Sequence, residues 1–143
     1  MIEMLVVLIV VGVLAAVAVP QYLRKTEITR WSEAVSIARS MSSAESRYCF
    51  TGTACASVIG NLDVEVPTMR YFDVPTLTGA CACALGVVSG RTYTFTRNST
   101  DNYGSTSGNT IVYGVNASGT GVCVNSGSTA PAWVRDNIGS PSC

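Results

Sequence analysis

The feature that most constrains this chain is an uninterrupted apolar run near its N-terminus. From Met4 to Val19 the sequence reads MLVVLIVVGVLAAVAV, without a charged or strongly polar side chain. At about 1.5 Å of helical rise per residue, this run covers most of a roughly 30 Å hydrocarbon layer. Met1 and Ile2 supply the remainder if Glu3 is tolerated. We therefore predict a membrane-spanning helix.

Two other structures could contain such a run: a buried core helix and the apolar part of a secretory signal. A core helix is rarely apolar all round in the single domain that 143 residues can form. A signal has basic residues before a shorter apolar stretch and a small-residue cleavage site after it. Here no basic residue precedes the run, and Pro20 leads into a second helical pattern. The anchor interpretation is therefore preferred.

The balance of charged residues does not name a partner. Lys and Arg together number 9, equal to Asp plus Glu, and charged residues make up 13% of the chain. No broad electrostatic field favours nucleic acid or anionic lipid, and we expect no nucleic-acid partner. Arg24 and Lys25 nevertheless follow the span, which by the positive-inside rule alone would leave the downstream domain in the cytoplasm. A short basic leader, since removed, would resolve this conflict, so we infer a processed N-terminus.

Six cysteines lie downstream of the apolar run, in a Ser/Thr/Gly-rich segment without histidine. An even number of cysteines in a small domain favours disulfides formed in an oxidising compartment. Their spacings do not match the usual zinc motifs, so no metal or other cofactor is expected. The residues are Cys49, Cys55, Cys81, Cys83, Cys123 and Cys143.

The chain beyond Pro20 predicts an amphipathic helix followed by short strands. Apolar residues recur at helical spacing over about 24–48, at Ile28, Trp31, Val35, Ala38 and Met41. The charged residues Arg24, Lys25, Glu27, Arg30, Glu33 and Arg39 are predicted to lie largely on other faces. Strand-type runs follow at Cys81 to Val88, Arg91 to Arg97, Thr110 to Val115 and Gly121 to Val124.

Turn and alternation signals refine the predicted sheet. Ser89-Gly90 predicts a hairpin turn between the first two runs, and Tyr93 and Phe95 alternate with threonines, which is typical of a strand with one buried face. The polar stretch 98–109 predicts an exposed loop. The predicted fold class is α+β: a long N-terminal α-helix packed on a small antiparallel β-sheet, with loops pinned by disulfides.

The N-terminal residues resemble a known family. The segments Ile2-Glu3-Met4-Leu5-Val6-Val7 and Gly12-Val13-Leu14-Ala15-Ala16-Val17-Ala18-Val19-Pro20-Gln21-Tyr22 are similar to the N-terminal methylation segment of type IV pilins, of the type IVa kind. In that family the glutamate is usually the fifth residue after leader cleavage, whereas Glu3 is third here. Either two residues are absent or processing differs.

The resemblance implies a structural subunit, the major pilin of an extracellular type IV pilus, rather than an enzyme. Residues 1–23 would be a membrane anchor and then the filament core, and residues 24–143 a globular head. Copies of the chain would form a helical homo-oligomer after a single-pass stage in the inner membrane, with an assembly ATPase and platform proteins as partners. The filament-core residues would be Met4, Leu5, Val6, Val7, Leu8, Ile9, Val10, Val13, Leu14, Val17 and Val19.

The resemblance also implies roles for individual residues. Glu3 would pair with the α-amino group of a neighbouring subunit; the alternative is that Glu3 simply lies at the membrane interface. The weakly helical segment between Gly12 and Pro20 would lose helicity on assembly; the alternative is a simple kink. Cys123 and Cys143 would close a C-terminal loop, whereas the pairing of the other four cysteines stays open. Asn98 and Asn116 lie in possible glycosylation motifs.

An enzyme is not expected, because the chain has no histidine, nucleophile motif or phosphate-binding glycine loop. A closer alternative is a type II secretion pseudopilin, which shares the N-terminal segment and forms a short periplasmic filament. Some pseudopilins bind Ca²⁺ near their C-terminal loops, and Asp101, Asn102 and Asp136 are oxygen donors here, although solvated loop residues explain them more simply.

Overall fold

A computed structural model describes most of the chain. The described residues are 2–52, 54–79, 81–84, 87–98, 110–115, 122–124 and 127–138. In chain order the elements are helix α1 (Ile2–Thr51), a 3-10 turn (Ile59–Asn61), strands β1 (Thr76–Thr78), β2 (Ala82–Ala84), β3 (Val87–Ser89), β4 (Thr92–Thr96), β5 (Thr110–Val115) and β6 (Val122–Val124), and helix α2 (Ala132–Arg135). The predicted loop 98–109 falls outside this part except for Asn98.

Helix α1 joins the two helical segments of the sequence into one continuous helix. It has 50 residues and is therefore about 75 Å long. Pro20 lies inside it and lacks the N–H that would bond to the carbonyl of Ala16, yet the helix continues past it. The helix ends at Thr51, three residues beyond the predicted Tyr48, and Gly52 follows.

The second part of α1 buries its predicted stripe. Trp31, Ala38 and Met41 are fully buried, and Ile28 packs against the same core. The prediction for Glu27 was wrong, because this residue is only 3% exposed and lies on the buried face of the helix. Glu27 precedes Trp31 by four residues, and residues four apart in a helix share a face.

The strands form an antiparallel sheet with a separate hairpin beside it. Within the described residues, the larger sheet has the order β1-β4-β5-β6, and β2 pairs with β3 alone. Representative partners are Leu77 with Tyr93 and Phe95 with Ile111. Strand β1 was not predicted, because the three-residue run TLT gives no alternation to detect.

Two predictions about the strands were wrong. The run Cys81 to Val88 is not one strand but contains β2 and most of β3, which pair with each other so that Cys83 lies opposite Val88. Ser89-Gly90 therefore does not make a hairpin between paired strands. Gly90 has a φ of 75° and leads the chain from one sheet to the other, because both edges of β4 are taken by β1 and β5.

The core lies between α1 and the inner face of the larger sheet. Tyr93 and Phe95 are fully buried and the threonines of β4 are half-buried, which confirms the predicted alternation. Aromatic rings in edge-to-face contact cross the core from helix to sheet: Trp31 on Phe72 at 4.8 Å, Phe72 on Phe95 at 6.5 Å, and Phe95 on Tyr113 at 5.9 Å between centroids.

Two disulfides tie the end of α1 to the smaller hairpin. Cys49 bonds to Cys83 in β2, and Cys55 bonds to Cys81 immediately before β2. This pairing resolves the choice that the sequence left open. Cys123 is also disulfide-bonded. Cys143 lies outside the described residues, so the Cys123–Cys143 pair stays a prediction. The predicted α+β fold class, a long helix on a small antiparallel sheet with disulfides, is confirmed.

Candidate assembly surface

The apolar half of α1 projects from the head and is exposed on every side. All residues from 2 to 22 are exposed, and the large apolar side chains among them range from 52% exposed at Val6 to 81% at Ile2. The predicted filament-core residues all belong to this set. We call residues 2–22 the apolar rod.

A surface of this kind is unstable in water. Soluble monomers rarely expose contiguous apolar patches larger than a few hundred Å². A helix that is apolar all round needs a surrounding of hydrocarbon or of other apolar side chains. The rod is long and apolar enough to cross a membrane, and no residue of that stretch is buried by the head. The apolar rod is therefore compatible with a membrane anchor.

The three residues predicted to guide assembly all lie on this rod. Glu3 is in the first turn of α1, where the positive end of the helix dipole favours a carboxylate. At Gly12 an added Cβ would meet no atom within 4 Å, so the glycine lies on an open surface of the helix. Pro20 interrupts the hydrogen bonds about two turns before Glu27, the first buried residue of the helix. The structure distributes these residues along the rod and does not bring them together.

A buried ion pair holds the sheet to α1 where the rod enters the head. An oxygen of Glu27 lies 2.9 Å from Nη1 of Arg97, and a second Arg97 nitrogen donates to the other oxygen at 3.3 Å. Arg30 also contacts Glu27, at 3.4 Å. Arg97 is 1% exposed. Its guanidinium lies 5.3 Å from the ring centroid of Tyr71 and 5.7 Å from that of Phe72.

A second buried ion pair lies farther along the same helix. Nε of Arg91 is 2.9 Å from Oε1 of Glu45, and the hydroxyl of Tyr93 donates to Oε2 at 2.8 Å. Arg91 also donates to the carbonyl of Ala56. Burial raises the pKa of the Glu45 carboxyl above its ordinary value, against the opposing effects of the Tyr93 hydrogen bond and the Arg91 charge.

The two ion pairs attach opposite ends of β4 to α1. Glu27 and Glu45 are 18 residues apart, which is five helical turns, so both point to one face of α1. Their partners Arg91 and Arg97 flank β4. Sequence reasoning missed this arrangement, although the 18-residue spacing of two glutamates on the apolar face was a signal that could have found it.

The other predicted sites are only partly described. The side-chain amide of Asn98 donates to the carbonyl of Arg70 at 3.1 Å, so this asparagine has a structural role irrespective of glycosylation. Asn116, Asp101 and Asn102 lie outside the described residues. Asp136, the described member of the possible Ca²⁺ donors, is exposed after α2.

Among the described side chains, two groups have the close spacing of metal ligands, namely Cys49, Cys55 and Cys83, and Glu45, Cys55 and Cys81, and each depends on cysteines. The sulfurs of Cys49, Cys55 and Cys83 lie within 4.8 Å of one another. Each of these sulfurs is committed to a disulfide, and a metal would need the thiolate. The cluster therefore acts as a covalent brace between α1 and β2.

Comparison with known proteins found no relative. No family model matches the sequence, no curated protein matches it, and no solved structure matches the fold. The class of molecule is therefore defined by its own architecture: an α+β head, braced by disulfides, on one continuous helix whose outer half is apolar and exposed.

Proposed function

We propose that the protein is a major pilin, the repeating subunit of an extracellular type IV pilus. The observation that carries the proposal is the apolar rod, which is exposed over residues 2–22 and continuous with a helix packed into a folded head. In such a subunit the apolar rod must be shielded from water, whereas the folded head is stable in water. A helical polymer with the rods inside and the heads outside satisfies both requirements.

The energetics of the rod explain why assembly starts from a membrane. Burying one large aliphatic side chain contributes about 1.5 to 3 kcal/mol relative to water, so the rod as a whole does not remain in solution. Lipid tails and other rods cover it about equally well. A subunit can therefore move from the inner membrane to the filament only if neighbouring rods replace lipid as it leaves. The cytoplasmic ATPase and platform proteins implied by the resemblance would drive that movement.

Glu3 supplies the specific part of the assembly contact. A carboxylate surrounded by hydrocarbon costs at least about 2.5 kcal/mol on permissive insertion scales, and a positively charged partner offsets this cost. The α-amino group of the adjacent subunit would be that partner. Because apolar side chains slide past each other easily, a single charge pair would set the axial register of each incoming copy.

The segment between Gly12 and Pro20 is the part of the rod that could adapt on packing. Gly12 lowers helix propensity by about 1 kcal/mol relative to alanine, and Pro20 removes the hydrogen bond to Ala16. In the isolated chain this segment is helical. We propose that it loses helicity in the filament, where neighbouring rods cover the freed backbone groups, and that it lengthens under load.

The deciding experiment is helical reconstruction by cryo-electron microscopy of filaments sheared from the native cells. We expect long fibres with residues 4–19 packed along the axis and side-chain density that fits this sequence. Fibres built of another protein, or recovery of this chain only as a membrane-bound periplasmic species, would contradict the proposal. The second result would favour the short periplasmic filament of a pseudopilin.

A further inference from the structure

An open groove lies where α1 enters the head. It is lined by residues of α1 and by one ring from the head, and we call it the neck groove: Tyr22, Lys25, Thr26, Arg30, Glu33 and Tyr71 are among its lining residues. The rod before it, residues 2–21, spans about 30 Å, the thickness of a hydrocarbon layer. With the rod in a bilayer, Tyr22 lies at the edge of the hydrocarbon and Lys25 about 5 Å farther out. The groove is therefore at the depth of the lipid headgroups.

The surroundings of the neck groove carry an excess of positive charge. Among the described residues, α1 positions 24–33 and the surroundings of the Tyr71 ring contain five basic side chains and two carboxylates: Arg24, Lys25, Arg30, Arg70 and Arg97, with Glu27 and Glu33. The whole chain has no net charge, so this excess is local. A positive groove between low-dielectric walls concentrates anions.

Tyr71 shows how closely these cations are gathered. The guanidinium groups of Arg30, Arg70 and Arg97 lie 4.8, 5.5 and 5.3 Å from the centroid of its ring. Arg30 and Arg97 both contact the carboxylate of Glu27. Nε of Arg97 is buried and makes no hydrogen bond within the described part of the chain. Three cations around one ring repel each other, the Glu27 carboxylate offsets part of this repulsion, and an added anion would offset more of it.

The polar groups of the groove favour a hydrogen-bond acceptor as ligand. The hydroxyls of Thr26 and Thr29 donate to the carbonyls of Tyr22 and Lys25, so their hydrogens are already used within the helix. The lining also contains the Lys25 ammonium and the hydroxyls of Tyr22 and Tyr71, which are hydrogen-bond donors. Phosphate oxygens are acceptors that suit these donors.

We propose that the neck groove binds the phosphate of an anionic phospholipid while α1 spans the bilayer. Aromatic residues at the edge of the hydrocarbon with basic residues just outside it match the lipid interface in both polarity and depth. The inference rests on the membrane-anchored stage of the proposed function and adds the class of lipid. The bound lipid would hold the head upright on the membrane before assembly.

The test uses the full chain in nanodiscs that contain phosphatidylcholine and phosphatidylglycerol, with native mass spectrometry to count the lipids retained on release. We expect preferential retention of phosphatidylglycerol. Lys25→Gln should lower the ratio of retained phosphatidylglycerol to phosphatidylcholine about fivefold, because one basic residue near an anionic surface is worth about that factor. Arg47→Gln is the matched control, since it removes one positive charge from an exposed site about 33 Å along the helix.

The outcomes separate the inference from the proposed function. Equal retention of both lipids by the wild type, or equal losses in Lys25→Gln and Arg47→Gln, would overturn the lipid site. Filament formation is scored separately on the same variants. A chain that forms no filament but retains phosphatidylglycerol through Lys25 contradicts the pilus and leaves the lipid site standing.

Discussion

Glu45 of α1 and Arg91, the residue before β4, form an ion pair at 2.9 Å inside the head, with side chains 0% and 8% exposed. The contact joins two segments that are 46 positions apart in the chain. Its counterpart, Glu27 with Arg97, lies five helical turns toward the rod. Together the two ion pairs hold both ends of β4 against α1. Force applied to the rod would therefore be transmitted to the sheet through these contacts.

Removal of Glu45 should destabilise the head strongly. Glu45→Ala leaves the Arg91 guanidinium buried without its carboxylate, and we expect a loss of about 3 to 5 kcal/mol in the free energy of unfolding. Denaturant titration of the full chain in detergent would measure it. The double variant Glu45→Met with Arg91→Met should lose less than Glu45→Ala, because no uncompensated charge remains.

The exposed pair of Arg47 with Asp63 provides the control for that prediction. Nε of Arg47 lies 2.7 Å from Asp63, and the two side chains are 55% and 59% exposed. Asp63→Ala should leave the denaturation midpoint unchanged, since water replaces the lost contact. If Asp63→Ala cost as much as Glu45→Ala, burial would not be the reason for the effect.

Two buried tyrosines should respond differently to loss of the hydroxyl. Tyr93 donates to the Glu45 carboxylate, so Tyr93→Phe should cost about 2 kcal/mol in unfolding free energy. The Tyr113 hydroxyl is buried without a hydrogen-bond partner within the described residues. Tyr113→Phe should therefore be neutral or slightly stabilising. Equal losses in the two variants would show that ring packing, and not the hydrogen bond, sets the cost.

Alkaline pH should weaken the fold through the same tyrosines. Burial raises the pKa of Tyr93 and of Tyr113 above the ordinary 10.0, and for Tyr93 the nearby Glu45 charge adds to this effect. Above about pH 10 the unfolded chain releases protons that the folded chain retains, so stability is full below that pH and falls as the pH rises. Urea midpoints measured across this range should decline for the wild type and decline less for Tyr113→Phe.

The disulfide pairing can be checked directly. Peptide mapping under non-reducing conditions should recover Cys49 with Cys83 and Cys55 with Cys81. Replacing both members of either pair with alanine should cost about 3 to 4 kcal/mol, because the closed loops constrain the unfolded chain. Recovery of Cys55 with Cys83, whose sulfurs lie 3.4 Å apart, would contradict the pairing.

Filament yield should depend on Glu3 more than on other carboxylates. Glu3→Ala removes the proposed partner of the neighbouring α-amino group, and we expect at least about a tenfold drop in sheared filaments, the equivalent of about 1.4 kcal/mol per contact. Glu65→Ala, which removes an exposed carboxylate from the head, should leave the yield unchanged. Equal yields from the two variants would argue that apolar contacts alone set the register.

The local patterns of the sequence were enough to predict α1 and strands β4, β5 and β6, whereas β1 and the short helix α2 were not predicted. Spacing at three and four residues located the buried stripe at Trp31, Ala38 and Met41, and alternation located the inward face of β4 at Tyr93 and Phe95. Each of these signals depends on neighbours within one or two turns of helix or along one strand. The apolar rod belongs to the same group, because its character depends on composition alone.

What only the tertiary structure decided were the contacts between distant segments. Sequence could not choose among the pairings of Cys49, Cys55, Cys81 and Cys83, and it placed Glu27 on a polar face because a charged residue is usually exposed. The sequence also predicted a hairpin at Ser89-Gly90, because these residues favour a turn. It did not reveal that β1 and β5, rather than β3, pair with β4. These outcomes depend on which surfaces meet after folding. A buried carboxylate is stable only when folding places an arginine from a distant part of the chain beside it. No local sequence pattern predicts such a contact.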